Sequence, residues 1–107
     1  MRREKLSDMW RGWLIGDFDL SVYRTKDFEV GVLTHEKGEI WPKHYHAEAI
    51  EINVLLEGKM RVNNEIIVSG DIFIFDKYEV ADPKFLEDCK ILCVKTPSKP
   101  GDKYEVL

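Results

Sequence analysis

Short apolar runs broken by turn residues recur from Phe28 to Lys95, at the spacing of an all-β domain. The pattern predicts strands over 28–35, 49–57, 60–62, 65–68, 72–75 and 90–95. Phe28, Val30 and Val32 share one face of the first. Asn63-Asn64 lies between two runs and tolerates positive φ, which suits a tight hairpin. Gly58, Ser69-Gly70-Asp71 and Asp82-Pro83 mark further turns. Ile72-Phe73-Ile74-Phe75 reads as core from both faces. About eight short strands in this space make a sandwich or a closed barrel.

Helix is weakly signalled. Ser7 is the one candidate cap, for a short turn over 8–13. Trp10, Trp13, Leu14 and Ile15 are too apolar to stand in water, so they are expected to cover the end of the barrel or a partner subunit. Pro97 and Pro100 predict an extended exit from the core.

The 107 residues suit one domain. The expected division is a covering segment at 1–20, a barrel at 21–96 and an extension at 97–107. With 44% hydrophobic and 34% charged residues, the composition is that of a folded chain. No apolar run approaches the roughly 20 residues of a membrane span. The N-terminus carries both signs of charge and does not read as a secretory signal. Cys89 and Cys93 stand four apart, and four residues of strand span about 13 Å, beyond disulfide reach. They read as reduced, packed thiols of a cytoplasmic protein. Net charge is −4 with cations scattered among acids, which argues against nucleic acid as a partner.

The chemistry concentrates between Gly38 and Gly58. His44 and His46 alternate with Tyr45, so on a strand both imidazoles share a face and can share an ion. A turn after His46 would return the carboxylate of Glu51 to the same point. Two histidines and a carboxylate form the facial set of non-haem iron, and the donors also suit zinc, manganese, nickel or copper. A His-x-His pair alone is ordinary on an exposed strand edge, and so is a lone glutamate. The frame is less ordinary. Five residues separate Gly38 from His44, four separate His46 from Glu51, and six separate Glu51 from Gly58.

That frame resembles the first motif of the cupin family at every fixed position, and the order of strands and turns is similar across most of the chain. The resemblance implies a small double-stranded β-helix, a jelly-roll barrel, usually dimeric and with a metal inside. It puts His44, His46 and Glu51 on ligand positions and Gly38 and Gly58 on turn positions. The second motif departs after Gly70. Asp76 stands for its proline, Tyr78 for its glycine and Ala81 for its histidine, and no histidine follows His46. Three outcomes stay open: a three-donor metal site, a site in which Asp82 or Glu79 substitutes, or a ligand pocket without tight metal. Asp82 is one residue out of register, so a bulge would be needed to turn it inward. His35 is a remote further candidate, expected on the outer surface or paired with Glu36.

Parity places Asn53 and Leu55 on the face of Glu51. Asn53, Met60 and Trp41 are therefore candidates for a ligand pocket. The expected function is binding of, or action on, a small organic molecule beside a divalent metal such as Fe, Mn, Zn or Ni. The alternatives are a non-catalytic small-molecule or carbohydrate-binding module and a metal-independent chemistry of the sugar-nucleotide epimerase or isomerase kind. No acid–base pair is evident in the sequence, so catalysis stays open. The expected partners are a small-molecule ligand and a second copy of the chain, with neither nucleic acid nor membrane.

Overall fold

A computed structural model describes residues 1–107. Ten strands form: β1 (Trp13–Ile15), β2 (Glu29–His35), β3 (His44–Tyr45), β4 (Ile50–Glu57), β5 (Lys59–Val62), β6 (Glu65–Val68), β7 (Ile72–Phe75), β8 (Pro83–Phe85), β9 (Cys89–Thr96) and β10 (Tyr104–Glu105). One antiparallel sheet runs in the order β1-β2-β9-β4-β7 and a second in the order β6-β5-β8, while β3 pairs with β10.

Alternation in sequence becomes alternation of burial. Along β9, Cys89, Ile91 and Cys93 are buried and Lys90, Leu92 and Val94 are not. Leu55 from β4, Met60 and Val62 from β5, Phe75 from β7, Phe85 from β8 and Ile91 from β9 make one core between the two larger sheets. The hairpin between β5 and β6 turns at Asn63 (φ 48°) and Asn64 (φ 72°), the double positive φ that a two-residue turn of this twist requires. Gly58 sits at φ 99°, where a Cβ would stand 2.3 Å from the Asp88 carbonyl oxygen. No other residue fits that crossing between β4 and β5.

Several expectations change. Ile72 and Ile74 are 65% and 54% exposed, so β7 is core on its Phe73–Phe75 side only. With them, two aliphatic rows cross the outer face: Val32, Leu92, Val54, Ile72 and Val30, Val94, Ile52, Ile74. Ser7 caps nothing. It lies inside a 3₁₀ turn over Leu6–Asp8, followed by another at Trp10–Gly12. Trp10 is 66% exposed, whereas Trp13 to Ile15 extend the large sheet as its edge strand. The residues after Pro97 do not simply leave the core, because Tyr104 and Glu105 come back to pair with Tyr45 and His44. Both cysteines are free and buried.

His35 is also not an outer residue. Its Nδ1 lies 2.6 Å from Glu39 Oε2, and its ring stacks 4.3 Å from Phe85 and meets Trp41 edge-on. Its partner is Glu39, not Glu36. An imidazole stacked on the core and tied to a carboxylate is a packing element of the barrel end.

Candidate functional site

His44 and His46 are held by the short strand β3 and what grips it. The His44 backbone exchanges hydrogen bonds with Ala81 at 3.0 and 2.7 Å, and the Tyr78 N–H donates to the His46 carbonyl. On the other edge, Glu105 pairs with His44. The turn after His46 is fixed by Asp102, whose carboxylate accepts the backbone N–H groups of Ala47, Glu48 and Ala49 at 2.8 to 3.2 Å. Burial works to raise the Asp102 carboxyl, but these three donors outweigh it and hold it below the ordinary range.

Both imidazoles are buried, with ring centroids 5.4 Å apart and planes nearly perpendicular. His44 Nδ1 donates to the Pro42 carbonyl at 2.8 Å, which leaves its Nε2 with a free lone pair. His46 Nε2 is buried without any hydrogen-bond partner. Burial, then the charge of Lys95, lowers the His46 pKa to about 4. Burial also lowers His44, against the opposing pull of its bond to Pro42. Both rings are neutral at pH 7, the state that ligation or a neutral hydrogen bond needs.

Glu51 enters from β4 and faces the same interior. Its Oε2 accepts from Asn53 at 3.1 Å, and Lys95 Nζ stands 4.0 Å from Oε1. Lys95 also lies 3.9 Å from Glu29 and above the ring of Trp13. Lys103 sits 4.0 Å above the Trp41 ring, and burial followed by the charge of Lys95 lowers its pKa. Cys93, behind Glu51, has its pKa raised well above the ordinary value by burial and then by that carboxylate, so it is an inert thiol.

Beside His46 opens a cavity of about 100 Å³, walled by Glu29, Lys95 and the 99–103 return of the chain. No sequence-family model matches the chain, and no curated protein does. Solved structures do. An uncharacterised conserved protein with a double-stranded β-helix domain from Klebsiella pneumoniae aligns at TM-score 0.69 and 20% identity, over 77% of this chain and 72% of the other. A sugar phosphate isomerase of the cupin superfamily from Silicibacter pomeroyi aligns at 0.60 and 22%, over 75% and 57%. The fold is that of a cupin.

Within this barrel the other predicted residues part company. Ala81 is buried against His44, at the position where the family pattern carries a histidine. Asp82 points its carboxylate at Lys84, 3.5 Å away, and Glu79 turns back on the Asp76 N–H. Neither joins the imidazoles. Met60 is sealed in the core, and Trp41 packs against that core while supporting Lys103. Asn53 reaches Glu51 but, like Met60 and Trp41, does not line the cavity. A third structure, the DMSP lyase DddQ from Ruegeria pomeroyi, aligns at TM-score 0.73 and 16% identity, over 97% of this chain and 56% of the other.

The fit of a metal divides. Two imidazole nitrogens suit a divalent ion, and the Nε2 of His46 is buried without a partner in the barrel. The three side chains face one interior without being gathered around one point, and Asn53 and Lys95 hold the Glu51 carboxylate. Sequence reading missed Lys95, Lys103 and Asp102. Lys95 alone carried a signal, since it shares the inward parity of Ile91 and Cys93.

Proposed function

We propose that the chain binds a small organic ligand at the polar mouth of its barrel, beside a divalent transition metal held by His44, His46 and Glu51. The observation that carries this is the buried, unpartnered Nε2 of His46 on a ring kept neutral. Leaving such an atom unsatisfied costs about 1–3 kcal/mol, which ligation removes. The Pro42 carbonyl orients His44 as carbonyls orient ligating imidazoles, and Asn53 does the same for Glu51. Fe, Mn, Zn and Ni all suit two nitrogens and an oxygen. Held by these residues, a divalent ion would supply Lewis acidity toward a ligand oxygen. Lys95 and Asn53 hold the Glu51 carboxylate in place, and Asp102 shapes the turn that carries His46.

Elemental analysis of protein purified without added metal tests the reading. Bound metal should fall about 10-fold or more in His46→Ala. A wild-type chain that retains no metal after exposure to Fe, Mn, Zn and Ni in turn overturns it.

Lys95 favours a second reading, a ligand-binding module that needs no metal. Its ammonium stands 4.0 Å from Glu51, where it already neutralises that carboxylate. Ligand binding that survives a chelator selects this reading.

We further propose a second copy of the chain as partner on the outer face of the large sheet. Its two aliphatic rows carry no charge, so the surface is complementary to itself. Light scattering should give a dimer that Ile74→Lys dissociates, and a wild-type monomer overturns it.

A further inference from the structure

We propose that the cavity beside His46 takes the oxyanion group of its ligand, a carboxylate or a phosphate, through the ammonium groups of Lys95, Lys99 and Lys103. This rests on the ligand-binding reading above and deepens it for the metal-free protein. Three lysines and His46 line the cavity, against two carboxylates, Glu29 and Asp102. Both carboxylates are already committed. Asp102 serves three backbone N–H groups, and Glu29 accepts the Ser98 hydroxyl at 3.0 Å.

Lys95 and Lys99 carry ion pairs but spend no hydrogen-bond donor on them. Lys95 stands 3.9 and 4.0 Å from its carboxylates and Lys99 4.0 Å from Glu48, all beyond hydrogen-bond length. Lys103 rests on the Trp41 ring. Ammonium groups brought together with their N–H donors unspent form a site for negative oxygen. The second, independent observation is His46 itself. It is 5% exposed, lines the cavity and has no partner for Nε2. In the metal-free protein that nitrogen is free to donate to the same anion. Six of the nine lining residues are charged or imidazole side chains.

Chelator-treated protein, titrated with inorganic phosphate, with acetate and with uncharged glycerol, tests the proposal. The readouts are calorimetry and the ring resonances of His46. One or both anions should bind saturably and shift the His46 signals, while glycerol does not. Tighter phosphate assigns a phosphate-bearing ligand, and tighter acetate a carboxylate. Lys95→Gln and Lys103→Gln should each weaken binding about tenfold. Lys95→Arg, which keeps the charge, should retain it and guards against a folding defect. Absence of a His46 shift with both anions overturns the proposal, as does unchanged affinity in Lys103→Gln. Because no metal is present, a failed metal analysis leaves this result standing, and a failed anion titration leaves the metal reading standing.

Discussion

Two ends of one barrel interior share the same strands and are built in opposite ways. On β4, Leu55 and Glu51 face inward from the same strand, and on β9 so do Ile91 and Lys95. At one end Leu55, Ile91, Met60 and Phe85 close an apolar core. At the other, His46, the carboxylates of Glu29 and Asp102 and three lysines line a small cavity, with His44 behind His46. The first end stores stability. The second holds an orphaned nitrogen and like charges together, which hydrophobic burial elsewhere must offset. A fold of this size separates holding itself together from holding something else by a few residues along each strand.

The sharpest way to break that contrast is Leu55→Ala. It should cost about 2–5 kcal/mol in urea unfolding and leave metal and anion binding unchanged in the folded protein. A loss of binding as large as the loss of stability would mean that the ends are not separable. Asp102→Ala should come next, at about 1.5–3 kcal/mol, because it strands three backbone N–H groups. Hydrogen exchange at Ala47, Glu48 and Ala49 should accelerate, with the apolar end unaffected. Glu51→Gln should lower metal retention about 10-fold with a smaller change in stability, read by elemental analysis and thermal melting together.

Acid should act on the polar end first. Folded His46 takes its proton near pH 4, whereas an unfolded imidazole takes one near 6.5. Between those values the unfolded chain binds more protons. Stability of the metal-free protein is therefore full above about pH 6.5 and declines as pH falls toward 4. His46→Gln should flatten that slope in melts across the range, and a slope of opposite sign would refute the buried neutral ring. Below this window Asp102 adds a second loss, since its depressed pKa gives stability that protonation removes. The smallest effect expected is Ser7→Ala, within about 0.5 kcal/mol, because Ser7 caps no helix.

What the sequence made legible follows the length over which a pattern can repeat. Ile50 to Glu57 and Cys89 to Thr96 alternate long enough to declare both strand and face, and Asn63-Asn64 declares its turn. Two-residue strands cannot show a period, so His44–Tyr45 and Tyr104–Glu105 were invisible as a pair. The histidine frame located the imidazoles but not their surroundings. Asp102 follows a Pro-Gly pair and looks like any exposed loop acid, yet it fixes the turn after His46. Ile72 and Ile74 read as core because a continuous apolar run does not say which face is covered. His35 looked like an outer residue because the return of Glu39 toward it depends on the turn at Gly38, where φ is 78°.

Lysines standing over indoles give the molecule an optical gauge of its own. Lys103 over Trp41 and Lys95 over Trp13 place two fluorophores under the cations that wall the cavity, while Trp10 looks out into water. An anion drawing those ammonium groups aside changes the electric field across two of the three indoles, so occupancy can be followed by emission from the unlabelled chain.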